Sequence, residues 1–547
     1  MKKEIVRIIV DSLKTLGIET IPAIEVEVPP RESLGDLATP VAMSLSGILK
    51  KPPREIAKEL IRSIKEKPSF EKIDIAGPGF INFTFSKDYL YSEIKNLLRD
   101  KEKFLREDMG KGRRVQIEFV SANPTGPLHL GHGRGAATGE ALSNLLKAAG
   151  YKVEREYYIN DAGKQVKLLG LSVFARYKQM LGIEYSFPEE GYRGSYVEEI
   201  AKEIINKDRD KYIKADFHEV SEFFIDYSYQ VMQSCIKEDL KDFGIAFDTW
   251  QSERNLFREG DVEKVINDLK AKGLIYEKDS ATWFKSTAFG DDKDRVIIKQ
   301  DGEYTYFTSD IAYHRKKVEK KYDELINIWG ADHHGYIQRL KAVIEAFGYP
   351  QEKLKVLLVQ MVTLLRGGKP VQMSKRAGEF VTLKEVMEEV GVDTTKFIFL
   401  TRRPDSHLEF DIEVAKSQSS ENPVFYVQYA HARINSIFAH AKEKGINTKN
   451  LYDSDVGLLS TTEEMKIIRK LLMYPFTFEG AVTAHEPHRI TFFLQELSGL
   501  FHHYYNKYRV VDENIELCRA RLALCETVRI VLRDGLTILG ISTPEKM

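Results

Sequence analysis

Two histidines three positions apart, His129 and His132, stand in the segment HLGHGRG, where a predicted strand and loop lead into a predicted helix. The first turn of a helix presents unpaired N–H donors and a partial positive charge, and both attract phosphate groups. The imidazole rings add further donors. Gly131, Gly133 and Gly135 would let a nucleotide approach the backbone closely. The pattern therefore predicts a site for the phosphates of ATP.

A second group of cations lies far downstream, in the segment RGGKPVQMSKRAGEF. Lys375 and Arg376 follow an apolar strand candidate and precede a predicted helix, in a loop rich in glycine and basic residues. In-line displacement at a phosphoryl group builds charge on its oxygens, and a positioned cation stabilises that charge without covalent chemistry. We therefore expect this loop to supply the other half of a phosphoryl-transfer site.

The elements that must position these segments alternate between strand and helix. Val115 to Phe119 predict a strand that leads into the histidine turn, and further buried strands are predicted at 326–332 and 355–364. Helical patterns separate these strands, which is typical of a doubly wound parallel sheet. The charge-rich stretch at roughly 165–300 predicts an insertion that splits the sheet. The predicted catalytic domain is thus α/β, Rossmann-like, with an insertion.

Smaller domains are predicted on both sides of this sheet. The first 108 residues combine an amphipathic helix with strand-like segments such as IDIAGPGFINFTF, which indicates a small α/β domain. Beyond residue 420 the strand signals give way to patterns of 3.6-residue period, which predict an all-α helix bundle. The predicted domains are 1–108, 109–420 and 421–547.

Composition excludes several classes of protein. The 547 residues include 81 Lys and Arg against 82 Asp and Glu, and 43% are hydrophobic, so a chain that is disordered as a whole is excluded. Three cysteines without a CxxC motif exclude a disulfide framework and a four-cysteine zinc site. They favour a reducing compartment, and we expect the cytoplasm. No segment is apolar over the roughly 20 residues that cross a bilayer, so no membrane contact is predicted.

These motifs resemble those of a known family. HLGH at 129–132 matches the HIGH signature of class I aminoacyl-tRNA synthetases, and SANPTGPLHLGHGRGA resembles the version found in arginyl-tRNA synthetases. Met373, Ser374 and Lys375 resemble the second signature, KMSKS, although Gln372 replaces its usual first lysine. The resemblance implies ligation of arginine to tRNA(Arg) through an arginyl-adenylate. It also implies magnesium with ATP, attack by the terminal ribose 2′-hydroxyl, and activation that depends on bound tRNA.

A pocket that selects arginine needs carboxylates and a flat aromatic wall, because the guanidinium is a planar fork of five donors. Tyr306 and Asp310 are one helical turn apart where a predicted strand gives way to a helix. They match the tyrosine and aspartate that line the arginine site in the family. The resemblance assigns further substrate contacts to Glu118, Ser121, Asn123, Asp161 and Asp332.

The resemblance assigns roles around ATP as well. His129, His132 and Lys375 would stabilise the phosphoryl transition state. The other expected ATP contacts are Gly126, Leu130, Gly131, Gly133, Met373, Ser374 and Arg376.

Contacts with tRNA are expected from both flanking domains. NPVFYVQYAHARI resembles the opening of a helical anticodon-binding domain, and GPGFINFTF resembles the amino-terminal domain that reads the tRNA elbow. Asn82, Phe85 and Lys87 fall on its D-loop-contacting positions. Tyr504 and Tyr508 alternate with basic residues, which suits stacking on unpaired bases. Being four residues apart, they would equally fit the core of a helix.

Several alternatives stay open from the sequence. A bare HxGH also occurs in small nucleotidylyltransferases, and two histidines at this spacing would suit a zinc pair. Asp332, followed by two histidines, suggests a metal too, but no third ligand has a suitable spacing, so no structural zinc is predicted. A synthetase for another amino acid and a non-catalytic tRNA-binding paralogue are the remaining alternatives. The expected partners are tRNA(Arg), arginine and ATP, and the expected assembly is a monomer.

Overall fold

The computed structural model describes residues 1–18, 21–64, 68–371 and 381–547. The predictions made for Gln372, Met373, Ser374, Lys375 and Arg376 therefore lie outside the described residues.

The amino-terminal region is a small antiparallel sheet covered by helices. Its elements are α1 (Lys2–Thr15), β1 (Leu37–Thr39), α2 (Val41–Leu49), α3 (Pro53–Ser63), β2 (Phe70–Ala76), β3 (Phe80–Phe85), α4 (Lys87–Asp100) and α5 (Glu102–Leu105). Strand β3 lies between β1 and β2. Ile5, Ile9 and Leu13 of α1 are fully buried, because their spacing places them on one face of the helix.

The central region is built on a five-stranded parallel sheet. Its elements up to the fourth strand of that sheet are β4 (Arg114–Glu118), α6 (Leu130–Ala148), β5 (Lys152–Ile159), α7 (Lys164–Met180), α8 (Ser195–Asp208), α9 (Phe217–Asp242), β6 (Thr249–Ser252), α10 (Glu253–Arg258), α11 (Asp261–Ala271), β7 (Ile275–Lys278), β8 (Ala281–Phe284), β9 (Arg295–Ile298), α12 (Tyr306–Glu319) and β10 (Glu324–Gly330). The remaining elements are α13 (Ile337–Ala346), β11 (Leu354–Val359), β12 (Val362–Arg366), β13 (Lys369–Pro370), α14 (Leu383–Val390), α15 (Val392–Phe399), β14 (Leu408–Asp411) and α16 (Ile412–Lys416).

The order of the strands explains where a site can form. The central sheet has the order β11-β10-β4-β5-β6, and every pair in it is parallel. After β4 the chain adds β5 and β6 on one side of that strand, and it later adds β10 and β11 on the other side. A crevice is expected beyond the carboxyl ends of β4 and β10, where the order switches. The α/β fold class predicted for this region is confirmed.

The interval predicted as one insertion proves to have two parts. Helices α7, α8 and α9 lie between β5 and β6 in the sequence, and the antiparallel strands β7, β8 and β9 come later. Between these parts β6 returns to the edge of the central sheet. Its four residues, TWQS, are only partly buried, so they lack the apolar run by which the other sheet strands are recognised.

The carboxyl-terminal region is a helix bundle, as predicted. Its helices are α17 (Pro423–Glu443), α18 (Thr462–Leu472), α19 (Tyr474–Ala484), α20 (His488–Lys507) and α21 (Ile515–Ile538). Val427, Ala430 and Ile434 are fully buried, in agreement with the periodicity of the sequence. In the described ranges no helix is long and apolar enough to span a bilayer.

The bundle also contacts the amino-terminal region. Tyr91 of α4 donates a hydrogen bond to the Leu459 carbonyl at 2.6 Å, and Arg469 of α18 pairs with Asp36. Asp534 of α21 is buried and pairs with Arg106 at 2.5 Å. The amino-terminal region and the bundle are thus joined by polar contacts as well as by apolar packing.

Candidate active site

The chain leaves β4 through a strained turn. The Ser121 amide donates to the Phe119 carbonyl at 3.0 Å, and between them Val120 has a φ of +68°. A β-branched residue rarely adopts this left-handed conformation, so the surrounding contacts must hold it. Tyr157 provides one such contact, because its hydroxyl donates to the Ala122 carbonyl at 3.0 Å. The turn brings Ser121 and Asn123 to the wall of a cavity.

The two histidines hold each other at the start of α6. The Nδ1 atom of His129 accepts from the Gly131 amide at 3.2 Å, and that of His132 accepts from the His129 amide at 3.3 Å. The rings stack with centroids 3.7 Å apart. Because each Nδ1 is an acceptor, a neutral ring carries its proton on Nε2. The two Nδ1 atoms thus accept the N–H groups of His129 and Gly131 at the start of the helix, and both rings line the cavity.

The glycines of α6 do not all face this cavity. Gly131 and Gly135 line it, whereas Gly133 lies on another side of the helix. A Cβ at Gly133 would approach Leu383 to 2.6 Å and Phe399 to 3.0 Å, so this glycine allows α6 to pack against α14 and α15. A period of 3.6 residues places positions 131 and 135 on one face and position 133 on the opposite one.

Two other expected ATP contacts also lie away from the cavity wall. Leu130 is buried in the core, with 2% of its surface exposed. Gly126 lies beside the Tyr196 ring, where a Cβ would come 3.1 Å from the hydroxyl oxygen.

The cavity has a volume of about 670 Å³ and lies beyond the carboxyl ends of β4 and β10. Residues from the histidine turn, from the turn after β4, from α12 and from the segments after β10 and β11 line it. Nine of the expected site residues line this one cavity: Glu118, Ser121, Asn123, His129, Gly131, His132, Tyr306, Asp310 and Asp332.

A buried ion pair supports one side of the cavity. The Oε2 atom of Glu118 accepts from the Lys317 ammonium at 2.5 Å, and its Oε1 atom accepts from the Ser121 hydroxyl at 3.0 Å. Burial is the largest single influence on the Glu118 carboxyl and would raise its pKa, but the charge and hydrogen bond of Lys317, together with the Ser121 hydrogen bond, outweigh burial and hold that pKa below its usual value. Glu118 is therefore ionised, and its two oxygens already accept from Lys317 and Ser121. It thus holds the Ser121 side chain in place.

Lys317 also connects to a neutral histidine. Its ammonium donates to Asn327 Oδ1 at 3.0 Å, and Asn327 Nδ2 lies 3.1 Å from His314 Nε2. Burial lowers the pKa of His314 to about 4, and the Lys317 charge acts in the same direction. The neutral ring donates through Nδ1 to the Asp310 carbonyl at 2.8 Å. This chain of contacts ties β4, β10 and α12 together beneath the cavity.

Two carboxyl groups meet beside Tyr306. Asp310 Oδ2 accepts from the Tyr336 hydroxyl at 2.5 Å, and burial raises the pKa of Asp310 to about 7. Glu253 is buried, its Oε1 accepts from the Ser309 hydroxyl at 2.6 Å, and burial raises its pKa too. Within the described ranges no side chain donates to its Oε2. Carboxyl oxygens beside an aromatic ring are what a guanidinium requires.

Asp161 and Asp332 differ from this pair in their surroundings. Asp161 does not line the cavity, because its carboxylate accepts from Ser252 Oγ at 2.6 Å and from the Arg254 amide at 2.9 Å. It thereby fixes the start of α10, which carries Glu253. Asp332 lies at the exposed rim, with its carboxylate 3.7 Å from His333. Among the described residues no three potential ligands come together as a metal site.

The residues expected to contact tRNA have mixed placements. Phe85 and Tyr504 are fully buried, and Asn82 is buried in β3, whereas Lys87 is exposed at the start of α4. Phe85 stacks on Tyr89 with centroids 4.9 Å apart. Phe85 and Tyr504 would have to leave the core to reach a base, and the expected tRNA contacts of these residues stay predictions. The segments around Phe85 and Tyr504 are both amphipathic, so the spacing of their residues does not distinguish a buried aromatic ring from one that stacks on a base.

A groove of about 920 Å³ in the bundle offers aromatic and basic side chains instead. The Arg433 guanidinium lies 4.4 Å from the centre of the Tyr429 ring and 4.9 Å from that of Tyr505. Tyr508 and Arg509 line the same groove. We define these five residues as the bundle groove.

Sequence reasoning missed four residues around the cavity: Glu253, Lys317, Tyr336 and Gln360. Glu253 follows a short edge strand, and Lys317 is one of two adjacent lysines in its helix. Tyr336 lies four positions after Asp332 in a 3₁₀ turn, which no helical pattern indicates. Only Lys317 could have been found from local spacing, because it is seven positions after Asp310 and so shares a helical face with that site residue.

Comparison with known proteins decides the family. The family model for the catalytic domain of class I tRNA synthetases (R) matches residues 93–436. The chain belongs to the arginyl-tRNA synthetase family. The model for the arginyl-tRNA synthetase N-terminal domain matches residues 3–85, and the DALR anticodon-binding domain matches 427–547. The resemblance drawn from the two signatures is therefore confirmed.

Relatives in this family match over their full length. The arginine–tRNA ligase of Geobacter sp. strain M21 is 51% identical over 97% of this chain and 96% of its own. That of Oceanobacillus iheyensis is 48% identical over 97% and 95%. A crystal structure described as a Campylobacter jejuni arginyl-tRNA synthetase has a TM-score of 0.77 at 36% identity, covering 85% of this chain and all of that one. The Thermus thermophilus arginyl-tRNA synthetase shares the fold over both full chains, with a TM-score of 0.76 at 21% identity.

The raised pKa of Asp310 predicts how arginine use depends on pH. Below about pH 7 this carboxyl is protonated and neutral, so it attracts a guanidinium weakly; above that pH it is ionised. We expect kcat/KM for arginine to rise about tenfold between pH 6 and pH 8 and then to level off. Aminoacylation at saturating ATP and tRNA would measure it. The same profile in Asp310→Asn would show that another group titrates.

Proposed function

We propose that the cavity beyond β4 and β10 is where this synthetase activates arginine with ATP. As a member of its family, the chain ligates arginine to tRNA(Arg) at the expense of ATP. The observation that carries the proposed placement is the convergence, in one cavity, of the histidine turn with Tyr306, Asp310 and Glu253. Residues suited to phosphate and residues suited to a guanidinium thus line the same cavity.

In the proposed reaction the carboxylate of arginine attacks the α-phosphorus of ATP. The bond to pyrophosphate breaks, arginyl-adenylate forms, and the terminal ribose of tRNA then attacks the carbonyl carbon and releases AMP. No general base is needed in the first step, because the attacking carboxylate is already ionised. His129, His132 and the N-terminus of α6 would stabilise the charge on the phosphoryl oxygens. Lys375 is proposed to add a cation there.

Magnesium is proposed to arrive with the nucleotide. It is usually bound by substrate phosphates and water together with few protein ligands. The Nδ1 atoms of His129 and His132 already accept backbone N–H groups, so we propose that the turn contacts phosphate oxygens and does not bind the metal ion. When bound, magnesium would neutralise charge on the departing pyrophosphate.

The opposite end of the cavity is proposed to hold the arginine side chain. Asp310 and Glu253 would accept from the guanidinium, and Tyr306 would cover its face at the cavity mouth. Ser121 and Asn123 would face the amino-acid end, with Glu118 holding Ser121 in place.

Attachment of radiolabelled arginine to total tRNA tests this function. The assay contains ATP and magnesium, runs beside a panel of other amino acids, and includes Lys375→Ala with its folding checked by circular dichroism. Charging with arginine alone, strongly reduced in the variant, is expected. Charging with a different amino acid would overturn the specificity. If no amino acid is charged and tRNA still binds, the chain is a binding paralogue.

The bundle groove is proposed to bind unpaired bases of tRNA. Stacking of a base on an aromatic or guanidinium plane contributes about 1–3 kcal/mol. We therefore expect Arg433→Ala to raise the KM for tRNA by about tenfold and to leave the KM values for arginine and ATP unchanged. Arg529→Ala is the matched control, because Arg529 lies in the same bundle and contacts Glu526 and Asn435 outside the groove. An equal effect of both changes would argue against the groove.

We further propose that the enzyme works as a monomer in the cytoplasm. All three cysteines are free thiols, which is compatible with a reducing compartment.

A further inference from the structure

Arg134 of α6 is a cation buried without a carboxylate partner in the described part of the chain. None of its surface is exposed, and burial lowers its pKa to about 10, so the guanidinium stays charged at neutral pH. The Asp405 carboxylate raises the pKa of Arg134 slightly by its charge, but it forms its ion pair with Arg403 at the surface. A buried charge is costly unless hydrogen bonds replace its water.

Three backbone carbonyls replace that water. Nη1 donates to the carbonyls of Gln360 at 2.9 Å and Ser406 at 2.7 Å, and Nη2 donates to the Arg403 carbonyl at 2.8 Å. Gln360 lies between β11 and β12, whereas residues 403–406 lie between α15 and β14. The Gln360 amide also donates to the Pro404 carbonyl at 2.8 Å. The guanidinium therefore joins α6 to two segments that are distant in sequence.

These contacts lie directly behind the cavity. Arg134 follows His132 by two residues on α6, and Gln360 lines the cavity together with Val359 and Met361. The helix that carries the histidine turn and the crossing from β11 to β12 are thus held at a fixed separation. A fork of rigid donors suits this task better than a flexible ammonium.

We propose that Arg134 is a positioning residue for ATP, which sets the separation between the histidine turn and the cavity wall at Gln360. This inference rests on the proposed placement of ATP in that cavity. Arg134 itself does not touch the nucleotide. If the Arg134 contacts only stabilised the fold, their loss would lower stability and raise the KM values for ATP and arginine alike. A change in this separation instead raises the KM for ATP more than that for arginine, because the proposed ligands of the guanidinium lie on α10 and α12.

The test compares Arg134→Met and Arg134→Lys with Glu140→Gln in the full-length enzyme. Glu140 is a matched control because it is a buried charged residue of the same helix, paired with Arg155 at 3.0 Å and not part of the cavity wall. We expect Arg134→Met to raise the KM for ATP at least tenfold and to change the KM for arginine less than twofold. Arg134→Lys is expected to raise the KM for ATP three- to tenfold, because one ammonium cannot reproduce the fork. Glu140→Gln is expected to change neither value more than twofold.

Two results would overturn the proposal: a KM for ATP within twofold of the wild type in a folded variant, or equal increases for ATP and arginine. If Arg134→Met does not fold, Arg134→Lys decides by the same criteria. His132→Ala is measured in parallel. If it leaves the KM for ATP unchanged, the placement of ATP fails; absence of arginine charging by the wild type would instead overturn the proposed function.

Discussion

Asp310→Asn is expected to lower kcat/KM for arginine by about 30-fold or more. Removing one partner of a desolvated charge pair costs about 2–5 kcal/mol, and each 1.4 kcal/mol is a factor of ten. Asparagine keeps the shape of the side chain and can still accept from the Tyr336 hydroxyl. The loss would therefore report the missing charge opposite the guanidinium. Steady-state aminoacylation at saturating ATP and tRNA, with arginine varied, measures it.

Asp301→Asn is the control for this change. Asp301 is exposed in the loop before α12, where its carboxylate accepts from the Glu303 amide, and it lies outside the cavity wall. We expect it to alter kcat/KM by less than twofold. If Asp310→Asn lowered kcat/KM by less than threefold, or raised the KM for ATP as much as that for arginine, the assignment of Asp310 to the guanidinium would be incorrect.

Lys317→Met is expected to reduce the free energy of unfolding of the catalytic region by about 3–5 kcal/mol, because breaking a buried ion pair leaves an uncompensated charge. Glu118 would remain in the interior with only the Ser121 hydroxyl as a partner. All three tryptophans lie within the catalytic region, so urea denaturation followed by tryptophan fluorescence reports on that region. Lys316→Met is the neighbouring control. Its ammonium pairs with Glu259 at 2.7 Å and is 31% exposed, so we expect a loss of at most about 1 kcal/mol.

The double variant Lys317→Met, Glu118→Gln distinguishes charge from packing. If the isolated carboxylate causes the loss, neutralising it should restore about half or more of the stability. Should the double variant be as unstable as Lys317→Met alone, lost packing or the Asn327 contact would be the cause instead. A loss below about 1 kcal/mol in the single variant would contradict the importance of the pair.

The sequence by itself determined the features that depend on local spacing. A helix has a fixed period, so two histidines three positions apart at a helix start predict a donor cluster, and Tyr306 and Asp310 must share a face. The alternation of apolar strands and helices predicts the parallel sheet. The two signatures also indicated the family, because their residues are contiguous in the chain.

Tertiary structure decided which distant groups meet. Glu253 joins Asp310 because Ser309 and Asp161 hold the start of α10 against α12, and no periodicity relates these positions. Gly133 faces Leu383 and Phe85 is buried, although the sequence motifs place both among the expected contact residues. Arg134 finds its three acceptors more than 200 residues away, between strands and helices that the sheet brings together. Local spacing fixes the direction of a side chain along its own element, but packing of several elements fixes what lies opposite it.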